Sequence, residues 1–123
     1  VDVIIVNAGV THPARSWLDA LKPGGRLLLP LTAENWNGFY FRIVRHEDGF
    51  AARAVSQVNI FHCGGSGRDA EAATRLNNLV RRRRGNFPPV QSMHRGSPPK
   101  SRSVWYHGPG FWLSKRPLTS LVH

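Results

Sequence analysis

The chain of 123 residues is 41% hydrophobic, carries a formal net charge of +10 and holds a single cysteine. That apolar content suits one globular domain and excludes disorder throughout, while the longest apolar runs, Val3 to Val6 and Leu27 to Leu31, fall far short of the ~20 residues a membrane-crossing helix needs. Cys63 alone cannot form an internal disulfide, which suits a reducing compartment, and any targeting segment is expected upstream of Val1.

Val1 to Asn7 (VDVIIVN) is a short, largely β-branched run bounded by Ala8-Gly9, and it predicts a buried strand. In THPARSWLDAL, Thr11 or His12 is placed to cap a helix, Pro13 fits a first turn, and Trp17, Leu18 and Leu21 share a face. Lys22 suits the negative end of that helix and Pro23 cannot continue it. Gly24-Gly25 then supply the dihedrals of a reversal into a second strand, Arg26 to Leu31, which Pro30 closes. The order strand, helix, strand predicts a parallel β-α-β unit.

From Gly38 onward the residues alternate, with Phe39, Phe41 and Ile43 on one side and Tyr40, Arg42, Val44 and His46 on the other. Asp48-Gly49 is a two-residue turn signal, so Phe50 to Phe61 reads as the returning strand of a hairpin. Ser66 and Asp69 make a capping box ahead of a surface helix over 68–82, with Ala73, Leu76 and Val80 on its apolar face. Gly85 to Ser103, with Pro88, Pro89, Pro98 and Pro99, predicts an extended loop. The aromatic segment 104–114 (VWYHGPGFWLS) is too apolar to be left in water and is expected to dock as a strand-like element on the sheet.

Two stretches carry a family resemblance: VDVIIVNAGVTHPARSWLDALKPGGRLLLPLT and FYFRIVRHEDGFAARAVSQVNIF. KPGGR followed by an apolar strand is common to the wider Rossmann-like methyltransferase class. Joined in order with Pro30 in LLLPLT and with Arg45 to Phe50 (RHEDGF), it resembles the C-terminal half of the protein-L-isoaspartate O-methyltransferase family, over about half of the chain. The resemblance implies an α/β fold in which residues 1–61 are the C-terminal part of a Rossmann-like methyltransferase sheet and residues 62–123 a basic extension. It implies S-adenosyl-L-methionine as cofactor, a protein or peptide with isoaspartyl residues as substrate, and a protein-repair role in the cytoplasm. The family's glycine-rich cofactor loop, ribose-binding acidic residue and substrate-side serine belong to its N-terminal half. That half is therefore an implied partner, without which the chain is expected to be inactive. NAGVTH departs from the Thr-Ala-Ala usual in the family, and the residues from Gly64 on have no counterpart in its core.

Ligands of open α/β sheets bind beyond the carboxyl ends of the strands. Carried onto this chain, that places the cofactor at Asn7, Ala8 and Gly9 and the substrate at Val10, Thr11, His12, Pro30, Leu31 and Thr32. Each also has a local reason to exist: Asn7 to Gly9 as a strand-to-helix turn, Thr11 and His12 as caps, Pro30 as a strand stop. No metal site is expected, because the six histidines and one cysteine are scattered without ligand spacing. Gly64 to Gly67 could cradle an anion but lacks the Lys-Ser/Thr of a P-loop, and Cys63 reads as a packed thiol. Residues 62–123 hold eleven Lys/Arg against two Asp/Glu, which makes a basic nucleic-acid- or polyanion-binding module one alternative, beside a methyltransferase of the same fold acting on another substrate.

Overall fold

The computed structural model describes residues 2–62, 64, 67–83 and 86–118. The β-branched start forms β1 (Val3–Ile5), paired in parallel with β2 (Arg26–Thr32), Val3 opposite Arg26. Between them lies α1 (Arg15–Ala20). The hairpin follows as β3 (Asn37–His46) and β4 (Gly49–Asn59), antiparallel, with a bulge at Tyr40/Phe41. Then come α2 (Ala70–Arg83), β5 (Ser92–Arg95), β6 (Val104–Gly108) and β7 (Phe111–Ser114). Among the described residues the seven strands form one sheet in the order β1-β2-β3-β4-β5-β7-β6, with β1–β2 parallel and the other strand pairs antiparallel. The fold is therefore α/β with a mostly antiparallel sheet.

Leu27, Leu29 and Leu31 of β2 point to the same core as Phe39, Phe41 and Ile43 of β3, and Leu18 of α1, Leu21 at its C-cap and Leu76 of α2 join that cluster. The sheet also curls. β1 and β6 are its two edges, yet the Tyr106 hydroxyl on β6 donates to the Thr11 carbonyl at 2.7 Å, just beyond β1. α2 packs against β2, β3 and β6 within this curve.

Several local expectations are corrected. α1 has Ala14 at its N-cap with no side-chain bond, so neither Thr11 nor His12 caps it. Lys22 does not serve the end of α1; it makes an exposed ion pair with Asp2 at 3.6 Å. The cation there is Arg45, whose Nη1 donates to the Leu21 carbonyl at 2.7 Å and the Leu18 carbonyl at 3.1 Å, filling orphan acceptors of the last turn. Gly24 does take the left-handed φ of 84° that the reversal requires.

Pro30 does not close β2, which runs through it to Thr32. Its missing N–H falls on the β1 side, where it stops the parallel ladder instead, and β1 is accordingly shorter than Val1 to Asn7. Within the predicted loop 85–103, Ser92–Arg95 forms β5, and segment 104–114 divides into β6 and β7 about the turn at Gly110, φ 75°. Asp69 caps α2, its Oδ2 accepting the Ala72 N–H at 2.9 Å. The predicted roles of Cys63, Gly65 and Ser66 lie outside the described residues.

Candidate active site at the carboxyl ends of the parallel strands

Beyond β1 the chain runs Val6 to His12, and beyond the β1-paired part of β2 it runs Pro30 to Thr32. These two stretches stay together. The Val10 N–H donates to the Pro30 carbonyl and the Thr32 N–H to the Val10 carbonyl, both at 3.0 Å. All nine predicted site residues thus gather at one end of the sheet, but with different access. Asn7 is exposed, Ala8 and His12 are half-buried, and Gly9, Val10, Thr11, Pro30, Leu31 and Thr32 are buried.

Gly9 has a specific reason to be glycine. Its N–H donates to the Phe61 carbonyl at 2.6 Å, and a Cβ there would run into the Thr32 side chain. Thr11 is a junction: its N–H reaches the Gly67 carbonyl at 3.0 Å, its hydroxyl accepts the Asp69 N–H at 2.9 Å, and its carbonyl takes the Tyr106 bond. The Thr11 hydroxyl also shares a 2.9 Å hydrogen bond with His12 Nδ1. Burial pushes the Tyr106 phenol far above its ordinary value, so it remains a donor. Three segments distant in sequence, the loop after β1, the start of α2 and β6, are tied through this one residue.

The sequence reading missed Arg68. Its Nη1 donates to Thr32 Oγ1 at 2.9 Å and to the Thr32 carbonyl at 3.0 Å. Glu34 Oε1 lies 3.6 Å from Nη2. Nε and Nη2 are buried and have no hydrogen-bond partner among the described residues. An arginine ahead of a capping aspartate carries no periodic signal; its burial appears only when the chain after β4 crosses the end of β2. Around it, His62 Nε2 lies 3.1 Å from the Ala33 carbonyl, and the exposed rings of Trp36 and Phe61 sit 5.1 Å apart. Trp36 takes a φ of 69°, uncommon for a bulky side chain.

On the other side of the loop a cleft of about 750 Å³ opens between His12, Trp17 and the turn at Pro109 and Gly110, with Arg95 at its edge. Arg95 is held there by Asp19 at 2.7 Å. Among the described residues no group of three His, Cys, Asp or Glu is placed to hold a metal ion, and no helix is long and apolar enough to cross a membrane.

No protein-family model matches the chain. Proteins named Protein-L-isoaspartate O-methyltransferase from Pseudomonas aeruginosa strains LESB58 and UCBPP-PA14 are each 42% identical to it over 55 residues, 45% of this chain. The chain spans 26% of the length of these curated relatives. A solved structure of the same name aligns with 77% of the chain and 26% of its own length, with a TM-score of 0.48 and 22% identity. Across those 55 residues, the chain resembles the protein-L-isoaspartate O-methyltransferase family.

Proposed function

We propose that the chain is the C-terminal part of a Rossmann-like, S-adenosylmethionine-dependent methyltransferase that esterifies a carboxylate, of the protein-L-isoaspartate type. The observation that carries this reading is the 42% identity over 55 residues to curated proteins of that name. The geometry adds support, because the nine candidate residues converge at the end of the parallel strands where ligands of α/β sheets bind. Asn7 fits a cofactor-facing role: it is exposed there, and its amide makes no hydrogen bond among the described residues.

Asn7 and Ala8 would hold the cofactor, with Gly9 behind them. Val10, Thr11, Pro30, Leu31 and Thr32 would form the floor beneath the acceptor, and His12 its rim. S-adenosyl-L-methionine, when bound, supplies an electrophilic methyl group. A carboxylate is already a nucleophile at neutral pH and needs no general base, so the protein's work is to align the acceptor and exclude water. The absence of a paired acid and base from this floor is in keeping with that chemistry.

On this reading turnover requires the family's N-terminal half, the acceptor is an isoaspartyl protein or peptide, and the role is repair in the cytoplasm. The test is an assay of the chain joined to its upstream reading frame, with an isoaspartyl peptide and methyl-labelled cofactor. A base-labile methyl ester on the peptide is expected, and none from the chain alone; no ester from the longer protein refutes the reading.

The nucleic-acid alternative rests on the exposed Arg81 and Arg82, which make no ion pair among the described residues. Arg68, Arg75, Arg83 and Arg95 are instead held by hydrogen bonds within the chain, which leaves these side chains less free to reach a phosphate. Affinity for a short nucleic acid that fell steeply with salt would favour this alternative.

A further inference from the structure

Among the described residues two arginines are held at one nitrogen and left unfinished at another, but Arg83 leaves only Nε over, whereas Arg68 leaves a whole edge, Nε and Nη2. Its side chain is 14% exposed. Nη1 is fixed by both oxygens of Thr32. The opposite edge, Nε and Nη2, is buried with no hydrogen-bond partner among the described residues. Those two atoms are a pair through which arginine grips a carboxylate side-on, with two parallel N–H···O bonds. Buried donors without acceptors are rare and costly, so the unpaired edge requires an explanation.

The surroundings supply one. A carboxylate already stands nearby: Glu34 Oε1, 3.6 Å from Nη2, beyond hydrogen-bond reach. The Glu34 side chain is 69% exposed and can swing away. Beside it the exposed Trp36 and Phe61 rings form an apolar rim, with the backbone at Trp36 in the left-handed region. The whole group sits at the carboxyl end of β2, where Thr32 also fills the space left by the missing Gly9 side chain.

We propose that the Nε–Nη2 edge of Arg68 binds the carboxylate of the methyl acceptor, and that Glu34 is an internal stand-in which the acceptor displaces. This rests on the methyltransferase reading above. Both acceptor oxygens can bond to Arg68 and still keep lone pairs directed elsewhere. An esterified carboxylate has lost its charge, so the contact that selects the free acid also favours release of the ester. Arg68 is then the specificity-determining residue, and Thr32 positions it.

The experiment is a titration of the chain, ¹⁵N-labelled at arginine, followed at the Arg68 Nε–H resonance. The probes are a short isoaspartyl peptide, the same peptide with its free carboxylate converted to an amide, and S-adenosylhomocysteine. Only the free carboxylate should move the resonance to saturation. Glu34→Gln should tighten that binding by about two- to fivefold, the worth of an exposed ion pair. Arg68→Lys, which keeps the charge but loses the parallel pair of donors, should weaken it by about tenfold or more.

No response, or an equal response to the amide, overturns the proposal and leaves ordered water as the partner of the edge. A response to S-adenosylhomocysteine alone gives the edge to the cofactor and overturns the acceptor assignment. Should Arg68→Lys fail to fold, the unsubstituted chain and Glu34→Gln still decide. The two readings fail separately. If the longer protein makes no ester while Arg68 still takes the carboxylate, the enzymatic reading falls and takes the acceptor's identity with it, while the carboxylate-binding edge stands. If Arg68→Lys makes ester with unchanged KM for the peptide, this one falls and the enzymatic reading stands.

Discussion

The parallel ladder between β1 and β2 includes a bond from the Arg26 N–H to the Asp2 carbonyl and one from the Val6 N–H to the Leu28 carbonyl, each 2.8 Å. Its next rung would run from the nitrogen of residue 30 to the Val6 carbonyl. Residue 30 is proline and has no hydrogen to give. Tyr40, directly opposite Pro30 on β3, donates its hydroxyl to that carbonyl at 2.9 Å instead. Burial raises the Tyr40 phenol above its ordinary value, so the donor keeps its proton. Tyr40→Phe leaves the Val6 carbonyl facing a proline ring. A typical hydrogen bond contributes ~0.5–1.5 kcal/mol and an orphaned buried partner costs ~1–3 kcal/mol; Tyr40 is only half-buried, so the expected loss is about 1–2 kcal/mol. With a urea m-value of ~2 kcal/mol per M, the midpoint should fall by roughly 0.5–1 M while m stays constant.

The decisive measurement is the double-mutant cycle with Pro30→Ala, read by tryptophan fluorescence in urea. Alanine restores an N–H on the β1 side, so Tyr40→Phe should cost about half as much, or less, in that background. Pro30→Ala alone loses ~0.4–1 kcal/mol by freeing the unfolded chain, so the single substitution cannot be read by itself. Equal costs of Tyr40→Phe in the two backgrounds, within ~0.3 kcal/mol, would refute the idea that the hydroxyl replaces the missing rung.

Other consequences follow from single contacts. Gly9→Ala should destabilise by about 1–3 kcal/mol through the Thr32 clash, and Thr32→Ala added to it should recover part of the loss in the same urea assay. Arg45→Met should cost about 1–2 kcal/mol because two carbonyls at the end of α1 lose a charged donor, whereas Lys22→Ala, at an exposed 3.6 Å pair, should change the midpoint little. Burial lowers the pKa of His94, stacked 4.2 Å from Trp112, and burial followed by the Arg75 charge lowers that of His107. The unfolded chain, with histidine near 6.5, therefore binds these protons more readily. Stability should fall as pH drops from that value through the lowered folded ones, and His94→Gln should flatten the decline; a thermal midpoint that does not move between about pH 7.5 and about pH 5 contradicts this.

The parts legible in the sequence are those whose cause is local. Gly24 takes its left-handed angle whatever surrounds it, the hairpin turns at Glu47-Asp48 with Gly49 opposite His46, one residue before the Asp48-Gly49 pair that signals it, and the alternation from Phe39 to Ile43 needs only one buried face. The parts that were not legible depend on side chains meeting backbone far away. Ser92–Arg95 has little strand character of its own; it is β5 because it pairs with β4 and β7, with the Ser92 hydroxyl bonded to the Arg116 carbonyl. Arg45 looks like an ordinary hairpin residue until its guanidinium is found on the end of α1. Thr11 looked like a helix cap because threonine commonly is one, and it does receive a backbone N–H, but from Asp69, 58 residues away.

Sequence distance also explains how the candidate site divides. Position at a strand end was readable for all nine residues, because it follows from the order of elements. Access was not, since it depends on what else uses the same atoms. The backbone groups of Gly9, Val10 and Thr32 are joined to Phe61, Pro30, Val10 and Arg68, and the Thr11 carbonyl and hydroxyl are bonded to Tyr106 and Asp69. These groups define the shape of the floor and have little bonding capacity left for a ligand. On the reading proposed above, recognition would rest on groups left with bonds to spare among the described residues: the exposed Asn7 amide on one side, and the buried Arg68 edge on the other. Asn7 follows a parallel strand, so its position comes from the order of elements, whereas Arg68 comes from the chain after β4, and its place beside Thr32 depends on a contact between residues far apart in sequence.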